Sequence, residues 1–383
     1  SELSDSLTYD ITAWALPYAY NLVAFASTQK ILPEGSKIQK GSSDAKSMME
    51  SAPYAWLLEW NEVEDAGFLG ALLEKGIKVR YAKTAFALEG KRFEKGTLVI
   101  TKADNINKSG WSTQIQKLAN EGNQKIYPVS TGFADNGKDL GSYLMELVKS
   151  PSIALVYDDA VDKHSYGFIW HFLETELGLS FSAIPLSQVK SGKLDKYNTL
   201  ILPDGYLSVE EGDLDNVGRW VEAGNKLIVV GNAHKIFEGK EGWGLTHHDN
   251  GHDADADEDD SELTEYGNTE RTSVSMSTPG AIIKTHLDTS HPLANGLGTD
   301  YFSLKTNDFH QPYLEKGWNV GYLGEDIEKK GFIGSELLKK LPNTVVFGVK
   351  DKNQGAVVYL FDDPLFRGFW YQGKLLFSNA LFF

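Results

Sequence analysis

The hydrophobic pattern of this chain alternates between the period of a strand and the period of a helix. Short apolar runs, each typical of a buried parallel strand, occupy residues 152–157, 181–185, 199–202 and 227–230. Amphipathic helical stretches lie among them at residues 166–177 and 209–223. Alternation at this spacing indicates right-handed βαβ units, so the sequence predicts an α/β fold with a doubly wound parallel sheet. Later strands are predicted at 280–286, 343–349 and 355–361, and a closing helix at 373–381.

The same pattern divides the chain into three parts. Residues 1–45 form an aromatic-rich lead-in segment and linker, residues 46–149 a small α/β domain, and residues 150–383 the doubly wound domain. The last part carries an acidic insertion at 246–270. Within the small domain, helices are predicted at 63–75 and 111–120, strands at 54–60, 77–82 and 125–129, and a hairpin that pairs 88–93 with 97–101.

One segment carries more functional information than the rest, residues 226–237 (KLIVVGNAHKIF). It predicts a buried strand, a tight turn at Gly231-Asn232-Ala233 and the start of a helix, which is where a nucleophile would stand in an α/β domain. Neither Ser nor Cys occupies this turn, and the whole chain contains no Cys. A thiol-based amidotransferase or protease reaction is therefore excluded.

Composition and charge limit the kinds of molecule that this chain is expected to bind. The formal net charge is −16, and no apolar run approaches the roughly 20 residues needed to span a bilayer. Eight acids and no Lys or Arg lie between residues 249 and 262, and we interpret this run as a solvated loop. Nucleic acid is not expected as a partner, because phosphate binding needs clustered Lys and Arg. The chain begins with Ser1 and lacks a signal-peptide pattern, so we expect a fragment or a processed product.

Polar side chains follow the predicted strands at their carboxyl ends, where open α/β sheets bind ligands. These candidates are Asp158, Asp159, Asp204, Tyr206, Asn232 and His234. They outline a predicted binding cleft, although the same residue types also cap the helices that follow strands. Asp362, Asp363 and Arg367 reach the same edge after the last strand, and there we predict a structural Asp–Arg pair.

Two groups of residues resemble metal ligands in spacing alone. His171 and Glu174 have the HxxE spacing of a zinc-binding pair, with His286 as a third candidate, but the pair lies inside a predicted amphipathic helix. In the acidic run, Glu258 and Thr264 stand where a calcium-binding EF-hand loop needs Gly and Glu. We therefore predict neither a metal site nor a cofactor in this chain.

Five strings occur in order along nearly the whole chain: residues 4–20 (SDSLTYDITAWALPYAY), 130–134 (STGFA), 165–174 (SYGFIWHFLE), 290–296 (SHPLANG) and 362–368 (DDPLFRG). Together they resemble the region downstream of the catalytic domain in large secreted bacterial proteins of the M14 zinc carboxypeptidase family. The resemblance implies that the last domain has a class I glutamine amidotransferase-like, flavodoxin-like fold without its catalytic residues. It also implies a periplasmic or extracellular location, and zinc bound by a catalytic peptidase domain upstream of Ser1.

The expected function is that of a non-catalytic accessory region, which binds a peptide or glycan or supports the peptidase domain of the same protein. Two alternatives remain open from the sequence. One is a stand-alone hydrolase or transferase that uses the strand-end cleft, with His234 as the base and an Asp that orients it. The other is a glycan-binding or peptidoglycan-binding module, which the abundance of Trp and Tyr favours.

Overall fold

The computed structural model describes residues 16–32, 35, 51–247 and 269–383. Within them the chain forms two compact units: a small unit of residues 21–150, and a large unit of residues 16–20 and 151–383. The short helix α1 (Leu16–Ala19) comes from the predicted lead-in segment and belongs to the large unit. Most of the predicted acidic insertion, including Glu258 and Thr264, lies outside the described residues.

The small unit combines an antiparallel sheet with three helices. Its strands are β1 (Ala55–Leu58), β2 (Arg80–Ala82), β3 (Phe86–Leu88), β4 (Lys91–Phe93), β5 (Leu98–Thr101), β6 (Tyr127–Val129) and β7 (Met145–Leu147). Its helices are α2 (Val63–Glu74), α3 (Lys102–Asn105) and α4 (Trp111–Glu121). Five strands form the sheet in the order β6-β1-β5-β2-β7, and β3 and β4 form a separate hairpin. The predicted α/β character of this part is confirmed.

The hairpin in the small unit differs from the prediction. Strand β3 pairs with β4, whereas β5 joins the main sheet beside β1. The turn between β3 and β4 is Glu89-Gly90, and both residues have positive φ, at 51° and 75°. Positive φ at both central residues matches a type I′ turn, which suits the twist of a hairpin. The predicted pairing of 88–93 with 97–101 was wrong because Glu is not a usual residue at the first position of such a turn.

The large unit is built on one sheet of eleven described strands. They are β8 (Ile153–Tyr157), β9 (Phe181–Pro185), β10 (Thr199–Leu202), β11 (Lys226–Val230), β12 (Gly280–Leu287), β13 (Asp300–Lys305), β14 (Gln311–Pro312), β15 (Trp318–Tyr322), β16 (Lys329–Phe332), β17 (Thr344–Lys352) and β18 (Gly355–Leu360). Its longer helices are α5 (Lys163–His171), α6 (Leu186–Lys190), α7 (Glu211–Glu222), α8 (Thr269–Ser275), α9 (Ser335–Lys340) and α10 (Tyr371–Phe382). None of the described helices has the length and apolar character to cross a membrane.

Five of these strands form a parallel sheet in the order β9-β8-β10-β11-β18. Numbered along the chain, this order is 2-1-3-4-5, which is the flavodoxin-like form of a doubly wound sheet. Leu200 and Leu202 of β10 pack in one cluster with Trp220 of α7 and Val189 of α6. Ile201 points to the other face and is buried as well, so both faces of the sheet are covered. The predicted α/β, doubly wound fold is confirmed for this half.

The other half of the sheet is antiparallel, and the sequence did not predict this. Strand β17 runs antiparallel to β18, and β15, β12 and β13 continue the sheet in the same manner. The two-residue turn Asn353-Gln354 joins β17 to β18, with Asn353 at a φ of 59°. Asn tolerates this left-handed conformation, which makes the tight connection accessible without Gly. Strands β13, β15 and β16 were missed because their apolar pattern is short and interrupted by Lys, Asp and Gly.

Helix α1 packs on the antiparallel end of this sheet. Ala19 is fully buried in a cluster with Ile282 of β12, Leu304 of β13 and Trp370. The Tyr18 ring meets the Phe302 ring edge-on, with 5.0 Å between the centroids. The lead-in segment was expected to pack against another element, and in residues 16–20 it does so.

The start of β18 is a point of close backbone approach that only Gly allows. A Cβ atom on Gly355 would lie 2.0 Å from the carbonyl oxygen of Val221 and 2.3 Å from that of Asn225. We predict that Gly355→Ala lowers the free energy of unfolding of the large unit by about 1–3 kcal/mol, the usual range for overpacking. Urea denaturation followed by circular dichroism measures this loss.

The matched control is Gly212→Ala in α7, where an added Cβ meets nothing within 4 Å. Because Ala is the better helix former, this variant is expected to be at least as stable as the parent protein. Equal stability of the two variants would contradict the close approach at Gly355.

Candidate functional site

The predicted cleft residues lie at the carboxyl edge of the parallel sheet, where β8, β10, β11 and β18 end. After β11 the chain enters the predicted helix, which is a 3₁₀ helix over Gly231–Phe237. Asp204 follows β10 and Asp363 follows β18. Because these strands are parallel, their carboxyl ends meet at one edge of the sheet. Doubly wound sheets bind ligands at this edge.

The strand-to-helix turn after β11 has the form of an elbow but no space for a nucleophile. Gly231 is the first residue after the strand, and its φ of +54° favours Gly over residues with side chains. A Cβ atom added there would lie 2.4 Å from the carboxyl carbon of Asp204. The Asp204 carboxylate therefore occupies the space into which a nucleophilic side chain would project.

Asp204 also binds the polar groups of the elbow. One carboxylate oxygen accepts the backbone N–H of Asn232 at 2.7 Å and the Asn232 side-chain amide at 3.1 Å. In hydrolases with a nucleophile elbow, the N–H that follows the nucleophile is part of the oxyanion hole. If Gly231 is taken as the nucleophile position, the equivalent N–H here already has a partner.

Behind the elbow, the buried Ser165 contacts the backbone of Asp204 and the side chains of Asp162 and Asp363. The Ser165 hydroxyl accepts the Asp204 N–H at 3.2 Å, and Asp162 caps helix α5 by accepting the N–H of Ser165 at 2.8 Å. Asp363 accepts the N–H of Leu365 at 2.9 Å. Burial raises the pKa of Asp363 to about 7, and the negative charges of Asp204 and Asp162 act in the same direction. The Ser165 hydroxyl, which bonds to Asp363, opposes this increase.

His234 does not line an open cleft, because its side chain is only 1% exposed. Its Nδ1 lies 2.6 Å from the carbonyl oxygen of Gly231, and its Nε2 lies 2.9 Å from a carboxylate oxygen of Glu238. The ring packs between Phe309 and Phe361, with centroid distances of 3.9 and 5.2 Å. The prediction that His234 lines a cleft was therefore wrong. The 3₁₀ helix directs its ring into the core, below the turn at Gly231.

The other predicted residues are nearer to solvent. Asp158 and Asp159 are exposed after β8, and Asp158 accepts the N–H of Ala160 in a local turn. The Tyr206 side chain is 70% exposed, and the ammonium group of Lys235 lies 5.0 Å from the centre of its ring. The structure thus brings Asp204 and Asn232 into direct contact, whereas Asp158, Asp159 and Tyr206 line the open part of the edge.

Asp362 belongs to a second buried group. Its carboxylate accepts the Ser303 hydroxyl and lies 3.3 Å from the ammonium group of Lys305. Asp362 thus pairs with Lys305 of β13, and the predicted pair with Arg367 stays a prediction. The sequence placed Asp362 and Asp363 at the correct edge, but it missed Asp162, Ser165 and Lys305. The Asp at position 162, which directly precedes helix α5, was the available signal.

The HxxE pair does not converge on one point. His171 lies beside Glu176, with 3.4 Å between Nδ1 and a carboxylate oxygen, while Glu174 accepts the indole N–H of Trp170. No group of three or more His, Asp or Glu side chains in the described parts of the chain could hold a metal ion.

Comparison with known proteins gives similarity in structure only. No protein-family model matches the sequence, and none of the curated proteins matches it. A ThuA-like protein from Bacteroides uniformis is similar over 60% of this chain and 89% of its own, with 12% identity and a TM-score of 0.36. A GMP synthase subunit from Thermoplasma acidophilum is similar over 60% of this chain and 92% of its own, with 14% identity and a TM-score of 0.36.

A third similar structure is a β-galactosidase from Bacillus circulans, with 13% identity, a TM-score of 0.32, and coverage of 56% of this chain and 29% of the enzyme. The fold is therefore assigned from the strand order of the sheet and not from these TM-scores. None of these three proteins is described as a carboxypeptidase. The M14 connection therefore stays a prediction from the sequence strings.

The raised pKa of Asp363 predicts a pH dependence of stability. An Asp carboxyl has a pKa near 3.9 in an unfolded chain, so between about pH 4 and pH 7 the folded state binds more protons than the unfolded state. Stability contributed by this group is therefore lost as the pH rises through that window. We predict that the free energy of unfolding of Asp363→Asn falls less steeply with pH than that of the parent protein. The difference between the two should grow with pH to at most about 4 kcal/mol.

Urea denaturation of both proteins between about pH 4 and pH 8 checks this. Asp65 in the small unit, whose pKa burial raises to about 6, is unchanged in the variant and contributes equally to both curves. If the free energy of unfolding changes with pH in the same way for both proteins, Asp363 does not cause the pH dependence.

Proposed function

We propose that this chain is a non-catalytic accessory region that binds or positions a ligand or partner domain. One observation carries the proposal: the Asp204 carboxylate occupies the nucleophile position of the elbow and also binds the N–H of Asn232. A water-based reaction at the same place would need a base, and His234 is buried with both ring nitrogens engaged. These contacts argue against the stand-alone hydrolase.

The exposed residues at the carboxyl edge of the parallel sheet form a surface on which a ligand could bind. Tyr206 presents a largely exposed ring, and the exposed carboxylates of Asp158 and Asp159 lie on the neighbouring loop after β8. Such a surface suits a ligand that combines an apolar face with positive charge, as a basic peptide does. A peptide is therefore the ligand class we propose for this edge.

We further propose that this chain is part of a longer polypeptide. The five ordered strings support a place beside an M14-type zinc carboxypeptidase domain of the same polypeptide, outside the cytoplasm. Under this resemblance the zinc would belong to that domain. The accessory region would then contribute substrate positioning, while the peptidase domain contributes the chemistry.

The purified chain is predicted to show no hydrolysis of glutamine, of activated esters, or of peptides at their carboxyl ends, with or without added zinc. Each assay is run on the parent protein and on Asp204→Asn, which keeps the size of the side chain in the elbow but removes its charge. The physical reason is that no nucleophile, free base or free oxyanion donor faces solvent at the elbow.

Turnover by the parent protein that disappears in Asp204→Asn would refute the proposal, because it would make the carboxylate a catalytic group. Zinc-dependent release of carboxyl-terminal residues by the chain alone would refute it as well.

A further inference from the structure

The small unit contains a groove of about 690 Å³ that the proposed function does not use. The loop after β6 forms one side of it, and Tyr54, just before β1, forms the other. Its lining includes Tyr54, Thr131, Phe133, Lys138, Asp139 and Ser142. The groove is open to solvent, since most of its lining residues are exposed or half-buried. Residues 130–134, one of the five recognised strings, lie in this wall.

The loop that carries the groove is held in one conformation by hydrogen bonds. The backbone N–H and the hydroxyl of Ser130 both donate to one carboxylate oxygen of Glu89, at 2.8 and 2.6 Å. The N–H of Gly90 donates to Asp135 at 2.8 Å, and Leu140 anchors the far end of the loop in the core. A ligand would therefore meet a preorganised surface and would not have to order it.

Two aromatic rings are presented in the groove without being buried. Phe133 is 77% exposed at the tip of the fixed loop, and Tyr54 is 42% exposed opposite it. The Tyr54 ring rests against Gly132, where an added Cβ would lie 2.5 Å from its hydroxyl oxygen. Two partly or largely exposed rings in the lining of one groove give a ligand an apolar surface on which to pack.

The polar groups around these rings decide the class of ligand. The hydroxyls of Thr131 and Ser142 accept backbone N–H groups at 3.1 and 3.3 Å, so each can still donate its own proton. Lys138 and Asp139 add one charge of each sign to the rim. Asp139 accepts the N–H of Ala134 at 2.8 Å with one oxygen, which leaves the other available. An aliphatic ligand would cover these groups without offering a partner to the two hydroxyl protons or the two charges. A sugar ring matches them, because its C–H face stacks on an aromatic ring while its hydroxyls bond at the rim.

We propose that this groove binds an oligosaccharide, with one sugar ring stacked on Phe133 and its hydroxyls bonded to Thr131, Ser142, Lys138 and Asp139. The site lies wholly within the small unit and is independent of the elbow in the large unit. It gives the chain a carbohydrate ligand in addition to the peptide proposed for the strand-end edge.

The test is isothermal titration calorimetry of the full chain with soluble oligosaccharides of neutral hexoses and of N-acetylhexosamines. Saturable binding of at least one class is expected. Phe133→Ala should weaken this binding about tenfold or more, because it removes the stacking surface. Phe133→Trp should retain it, because the indole ring offers a larger surface of the same kind.

The matched control is Tyr206→Ala, which removes an exposed ring from the large unit and should leave sugar affinity unchanged. Absence of binding by every oligosaccharide, or binding that Phe133→Ala does not weaken, overturns the proposal. Binding of aromatic-free peptides at the groove without sugar binding overturns it too. Hydrolytic turnover by the chain would refute the non-catalytic proposal and leave this one intact.

Discussion

The contact between Asp204 and the elbow after β11 sets the geometry of the strand-end edge in the large unit. A short acidic side chain at the end of one parallel strand lies against a Gly at the end of the next, and its carboxylate accepts the N–H that follows. The contact requires a Gly at 231 in a left-handed conformation, and the 3₁₀ helix that begins there carries the buried His234. The Asp204 carboxylate therefore fills the space that a nucleophilic side chain at 231 would need.

The same contact accounts for the charge distribution behind the edge. Asp204, which accepts two hydrogen bonds from Asn232, adds its negative charge to that of Asp162 near Asp363. Burial and these two neighbours raise the pKa of Asp363 to about 7. Catalytic sites often contain such perturbed carboxyls, but structural networks produce them as well. Here the closed elbow favours the structural interpretation, with Ser165 as the link between strands β10 and β18.

The two units present surfaces of different chemistry, which we propose as binding sites. The large unit presents carboxylates and the exposed Tyr206 at a strand-end edge, whereas the small unit presents rings among hydroxyls in a groove on a fixed loop. A chain with two such surfaces and a closed elbow suits a role in holding substrates for another domain, which is the role proposed.

The sequence by itself determined the α/β alternation, the elbow after β11 and the absence of a thiol, because apolar periodicity and composition are local properties. Only the tertiary structure decided what fills the elbow. Asp204 and Gly231 lie on neighbouring strands but 27 positions apart, and no local pattern encodes the distance between their side chains. The antiparallel half of the sheet and the burial of His234 escaped prediction for the same reason: strand pairing and ring direction depend on contacts between distant segments.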